Sequence, residues 1–347
     1  MDGREGDGRP GPAGGSATRT VAAAVRAWAE GRPLDAAAGA RRAVEGLDAA
    51  GDRVGAARAR RLMADCLADA GEHRAALGQL RHARRAFAAR PELIPDLAGT
   101  EAAAAASLRA LGRLDDARRA LLRAEAAYEA AGMPVRAATC RLDRGVVHHD
   151  EGDVAGAVDL LARARATFLE HRRPDLAAVA DFDLGVALLD DGRADDAIER
   201  FQSARGIFSS LGQATDEAAC DLNLGVALHA VDRTEEARRS LRRARAAFER
   251  AGRTADVEQV DHDLDVLDGL VDPDTAELSV LRDLGEVPPE LVEMAARLDP
   301  PTDPVAPVVD DADGPGDPAG DPDGANGGDG PDGPDGQDGG GIDTESR

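Results

Sequence analysis

The stretch DLGVALLDDGRADDAIERFQSA, from Asp183 to Ala204, decides the fold. Apolar residues recur in it at helical spacing, with Leu184, Leu188 and Leu189 ahead of Gly192 and Ala197, Ile198 and Phe201 behind it. It reads as two helices broken by a turn at the glycine. Forty residues later, NLGVALHAVDRTEEARRSLRRA (Asn223 to Ala244) repeats the pattern, and forty residues earlier DRGVVHHDEGDVAGAVDLLARA (Asp143 to Ala164) does the same. Outward from these copies, Gly71, Gly112, Gly152 and Gly192 follow one another at spacings of 41, 40 and 40. Gly31 heads the series, and Asp232 stands in the glycine's place in the last unit.

The columns around these anchors are too specific for coincidence. Sixteen residues after each anchor come Leu47, Phe87, Tyr128, Phe168, Phe208 and Phe248, which places five of only eight aromatic residues in one register. Alanine fills the positions five residues after (Ala36 through Ala237) and twelve after (Ala43 through Ala244). Seven before the anchor the series runs Ala24, Ala64, Ala105, Gly145, Gly185, Gly225. Small residues at fixed helical positions let helix backbones approach where larger side chains would hold them apart. Acidic pairs just after the turn, such as Asp195-Asp196 and Glu235-Glu236, suit the positive end of the following helix.

The small–large–small–aromatic pattern of Leu184-Gly185, Leu188, Gly192, Ala197, Phe201 and Ala204 resembles the tetratricopeptide repeat. The family's usual period is 34 residues. The 40-residue period here is similar to the extended variety found in kinesin light chains and in the arrays of bacterial signalling proteins. The resemblance implies an all-α fold: a right-handed α-solenoid of six helix pairs over residues 18–251. A capping helix and a short last helix are expected within 252–298. Asp265 takes the place of Gly225 in the capping helix, and a charge there suits a terminal unit that packs nothing further. The short last helix is expected after Pro288-Pro289, with proline at its first turn.

The ends differ in composition. Residues 1–17 are Gly, Pro and charge and are expected to be disordered, with no apolar run of the kind a secretory leader needs. From Asp299 to Arg347 there are 14 acidic residues, one Arg, 12 Gly and 9 Pro, a polyanionic segment with too little apolar surface to fold. The whole chain of 347 residues carries 66 Asp and Glu against 42 Lys and Arg, a net charge of −24. Every one of those 42 cations is an arginine. So acidic a chain is not expected to bind nucleic acid or an anionic membrane surface. Cys66, Cys140 and Cys220 form no disulfide framework and read as reduced, packed thiols in a cytoplasmic protein.

No catalytic constellation assembles. A phosphate-binding loop is excluded by the absent lysine, and neither a Gly-x-Ser-x-Gly elbow nor a His-Glu-x-x-His zinc motif occurs. His148 and His149 are helix neighbours that point apart, and the Asp321 stretch of the tail lacks the ligand spacing of a calcium loop. No enzyme activity, no metal and no cofactor is expected.

What remains is a groove. In the tetratricopeptide repeat the first helix of each pair lines the concave face. The resemblance places two groove columns ten and six residues before each anchor. In the last three pairs these columns read Leu142, Phe182, Leu222 and Val146, Val186, Val226, an apolar strip fit for an amphipathic helix or an extended peptide. Packing inside the solenoid would produce the same pattern. One position further along stand Asp143, Asp183 and Asn223, with Asp263 by extension. Related arrays use asparagine there to bond a peptide backbone. Ionised Asp only accepts, so such a ladder would favour N–H groups or arginines. The function implied is a non-catalytic scaffold or adaptor for another protein or peptide. The alternative is a peptide-sensing module acting on a separately encoded effector. No residue pattern sets an oligomeric state.

Overall fold

The computed structural model describes residues 12–270 and 278–282. Thirteen α-helices follow one another without a strand among the described residues: α1 (Pro12–Ala29), α2 (Pro33–Ala49), α3 (Arg53–Asp69), α4 (His73–Ala88), α5 (Ile94–Ala110), α6 (Leu114–Ala130), α7 (Pro134–Asp150), α8 (Val154–Glu170), α9 (Pro174–Asp190), α10 (Ala194–Leu211), α11 (Ala214–Ala230), α12 (Thr234–Ala251) and α13 (Thr254–Leu267). Each helix packs on the next, so six pairs and a lone terminal helix form an all-α solenoid. The first helix begins at Pro12, inside the stretch read from sequence as unstructured. The helix expected after Pro288 and the acidic tail lie outside the described residues.

Each repeat column has a packing role. Ala36, Ala76, Ala117, Ala157, Ala197 and Ala237 are wholly buried, as are Ala43, Ala83, Ala124, Ala164, Ala204 and Ala244. The glycines seven residues before the anchor are close-approach sites. A Cβ on Gly185 would stand 2.6 Å from Phe201 Cε1, and one on Gly225 would stand 2.7 Å from Leu241 Cγ. The spacing of 41 between Gly71 and Gly112 has a local cause. Between α4 and α5 the usual turn gives way to a 3₁₀ turn at Pro91–Leu93.

Turns within and between the pairs end the preceding helix on a left-handed residue, which is why glycine recurs there. Gly132, Gly212 and Gly252 have φ near +70° between pairs, while Arg172 adopts φ 55° at the equivalent place. Asp232 adopts φ 61° where the other anchors are glycine. A left-handed conformation costs a non-glycine residue about 1–2 kcal/mol, part of which glycine returns through unfolded-chain entropy. Arg172→Gly is therefore expected to stabilise the array by about 0.5–1 kcal/mol, read as a rise in urea midpoint. An unchanged or lower midpoint would show that the Arg172 side chain offsets its backbone cost.

A second ladder, made of ion pairs, joins successive pairs. Arg165 of α8 meets Asp181 of α9 at 2.6 Å, and Arg205 of α10 meets Asp221 of α11 at 3.2 Å. Arg245 of α12 pairs with Asp261 of α13 in the same register. One unit earlier the charges are exchanged, with Glu125 of α6 accepting from Arg141 of α7 at 2.7 Å. Asp181 also accepts from Arg200 Nη1 at 3.2 Å and Ser203 Oγ at 2.9 Å on α10. It thereby ties three consecutive helices together.

All three cysteines are buried and unpaired, and burial pushes the Cys66 thiol up to about 12. No described helix is long and apolar enough to cross a membrane.

Candidate functional site: the face of α9, α11 and α13

Residues Leu278 to Arg282 lie against the first helices of the last units, carrying no helix or strand of their own. Asn223, in the middle of α11, meets them with its whole carboxamide. Its Nδ2 donates to the Leu281 carbonyl at 2.8 Å, and its Oδ1 accepts from the Leu281 N–H at 2.8 Å. The side chain thus pairs with a peptide group as a neighbouring strand would. Both Asn223 contacts are dry, because the residue has no exposed surface. Two residues earlier in the segment, Ser279 N–H donates to Asp263 Oδ1 of α13 at 2.9 Å, and the Ser279 carbonyl lies 3.4 Å from Gln259 Nε2. Residues 279 and 281 both turn their backbone groups to the helices, the period of two that an extended chain produces.

Side chains of the segment complete the fit. Leu278, Val280 and Leu281 are partly buried against the largest apolar cluster of the protein. Arg282 Nη1 donates to Asp190 Oδ2, at the end of α9, at 2.7 Å. The same oxygen lies 2.8 Å from His149 Nε2 of α7. This Asp190 contact belongs to a further ladder along the array, in which the residue three before one anchor meets the acid two before the next. Trp28 pairs with Asp69, and Arg109 with Asp150. A column reading of those two positions would have found it. His148 turns the other way, to Asp153 Oδ2 at 2.8 Å.

The positions singled out in the sequence divide by burial. Leu142, Phe182, Val186, Leu222 and Val226 are buried in the same cluster that the segment packs on, and Val146 is partly buried against it. Phe182 lies edge-on to Phe201 of its own pair, with ring centres 5.9 Å apart at 67°. Asp143 and Asp183 are half-buried on α7 and α9, while Asn223 and Asp263 are fully buried. Gln259 and Asp190 are contacts that the groove columns did not include.

Two carboxyls of this face are hard to ionise. Burial pushes Asp143 up to about 6, with Arg109 opposing. Burial likewise pushes Asp263 up to about 6, against the Ser279 N–H, and its Oδ2 is buried without a partner. Between the ordinary 3.8 and about 6 the folded chain holds a proton that the unfolded chain releases, so Asp263 lowers stability as pH rises through that window. Asp263→Asn keeps an acceptor for Ser279 and removes the titration. Its stability relative to the unaltered chain is expected to rise between pH 4 and pH 7, compared by urea midpoints at each pH. A constant difference would show that Asp263 ionises in the fold as freely as in the unfolded chain.

Among the described residues no group of three or more His, Cys, Asp or Glu is placed to hold a metal ion.

Residues 176–250 match the family model described as tetratricopeptide repeat. No curated protein matches the chain. Several solved structures share its fold. BtubC (BKLC) from P. vanneervenii superposes with a TM-score of 0.53 at 20% identity, covering 68% of this chain and 92% of that one. The Rap conjugation gene regulator of plasmid pLS20, in complex with the Phr* peptide, gives 0.57 at 14% identity over 88% and 83%. Aspartyl phosphate phosphatase F from Bacillus subtilis gives 0.57 at 13% over 76% and 72%. At such identities the likeness is one of fold.

Proposed function

We propose that this chain of tetratricopeptide-like repeats is a non-catalytic interaction module whose face of first helices binds an extended peptide of another protein through its backbone. The observation that carries this reading is the two-bonded pairing of buried Asn223 with the Leu281 peptide group. A carboxamide is the side chain that can both donate to a carbonyl and accept from an N–H, so it grips an extended chain whatever its side chains. Asp143 and Asp183 continue the column on the neighbouring helices as acceptors for N–H groups or arginines. The buried apolar residues Leu142, Phe182, Val186, Leu222 and Val226, with Val146, form the floor under that column. A cytoplasmic setting accords with three unpaired thiols.

The test is selection of peptides from a displayed random library on the chain with residues 278–282 replaced by glycine and serine, with and without Asn223→Ala. Loss of two hydrogen bonds of about 0.5–1.5 kcal/mol each should weaken selected peptides roughly tenfold or more. Peptides held equally by both forms would place the ligand elsewhere.

One observation favours a second reading, a peptide-sensing module that acts on a separately encoded effector. The groove already holds a segment of its own chain, so an arriving ligand would change what that segment does. A peptide-bound Rap protein is among the structures sharing the fold. Under this reading ligand binding alters capture of an effector protein, whereas a plain adaptor captures its partner directly.

A further inference from the structure

Residues 278–282 fill the groove through contacts that another peptide could also make. The main bonds run to backbone groups that every peptide possesses. The three apolar side chains are only partly buried, and Arg282 reaches Asp190 while more than half exposed. With the segment in place, Asn223, Asp263, Phe182 and Leu222 beneath it have no exposed surface. The segment is tethered by only seven residues, 271–277, to the described end of the capping region. A short tether of that kind supplies an effective concentration in the millimolar range. A few bonds of about 1 kcal/mol each then suffice to keep the site filled, yet leave it open to a better-fitting competitor.

Resting on the groove reading above, we propose that residues 278–282 are an internal stand-in for the ligand. The true ligand is an extended segment of another protein with the same chemistry: an apolar residue whose peptide group Asn223 clamps, followed directly by an arginine that Asp190 reads. It binds by displacing 278–282. Two features make arginine the residue of choice after the clamped position. Asp190 presents its carboxylate at the end of α9, already oriented by His149 Nε2 at 2.8 Å. The neighbouring groove column is acidic at Asp183 and Asp143. The direction is set as well. From Ser279 on α13, through Leu281 on α11, to Arg282 at α9, the occupant runs antiparallel to the order of the repeats.

The test uses the full chain and a fluorescent probe peptide with the sequence of residues 276–284, Ala-Glu-Leu-Ser-Val-Leu-Arg-Asp-Leu. Leu281→Pro removes the N–H that Asn223 accepts and leaves every groove residue in place. A second variant, with 278–282 replaced by glycine and serine, serves the same end without proline. Hydrogen exchange at 278–282 verifies release, and circular dichroism verifies the helices. The probe is expected to bind the released forms at least about tenfold more tightly than the unaltered chain, since the internal competitor is gone. A probe with leucine in place of its arginine should lose about tenfold, a charge-assisted bond, and Asp190→Asn should abolish that difference. Equal affinity for the unaltered and released chains would overturn the stand-in while leaving the groove reading intact. Failure of the released chains to bind the probe at all would overturn the ligand chemistry. The groove reading itself would fall if tight binding to a released chain survived Asn223→Ala.

Discussion

Asp181→Ala is expected to destabilise the array by about 3–5 kcal/mol, the usual effect of removing one partner from a buried ion pair. Asp181 has no exposed surface and is the meeting point of Arg165, Arg200 and Ser203. Without it, Arg165 loses its carboxylate and Arg200 keeps only the longer contact to Glu199, at 3.5 Å. Neighbour coupling in a repeat array makes the damage local first. Amide exchange should therefore accelerate in α8, α9 and α10 before it does in α3 and α4. Urea unfolding followed by far-ultraviolet circular dichroism gives the total. A loss below about 1 kcal/mol would mean that solvent reaches the two arginines and replaces the carboxylate.

Phe182→Ala should cost a comparable amount, about 3–5 kcal/mol, because it opens a cavity in the largest cluster. Phe182 is wholly buried and packs edge-on to Phe201. Its ring fills the space between the two helices of its pair, so its removal is felt whether or not a peptide is present. The predicted signature is a lower urea midpoint with no change in helix content at low denaturant. A midpoint within about 1 kcal/mol of the original would show that Leu188 or Phe201 collapses into the void. The consequence for functional work is direct. Substitutions at Phe182 or Leu222 confound binding with folding, whereas Asn223 and Asp190 act on the occupant's backbone and arginine.

Nearly all of the architecture was legible in the sequence, because a repeat writes each packing requirement six times. The alanines five and twelve residues past the anchor, the aromatics sixteen past it and the small residues seven before it each hold one place in the packing. A column of identical residues therefore reports a shared environment. The cap was visible for the opposite reason: Asp265 stands where close packing would need glycine. The ion-pair ladder was harder to see. Its charges are exchanged at Glu125 and Arg141, and the second cation on Asp181 comes from Arg200 whereas the one on Asp221 comes from Arg243. Salt bridges conserve the sum of charges and not the identity of each residue, so the column looks irregular until the helices are placed side by side.

For the candidate site the division falls differently. The sequence alone determined that these helices carry a column of Asp143, Asp183, Asn223 and Asp263, because helical period and repeat period together assign every residue to a face. Leu278, Val280 and Leu281 are three apolar residues in a stretch of four. Only the tertiary structure decided that the two meet, bringing Leu281 to Asn223 across 58 positions of sequence and Arg282 to Asp190 across 92. It also placed both apolar columns in the one cluster on which Leu278, Val280 and Leu281 pack. The reason is physical: periodicity encodes contacts between residues a fixed number of positions apart. A segment that folds back outside the period has no such spacing, and what holds it is the local complementarity of hydrogen bonds, charge and apolar surface at the place where it lands.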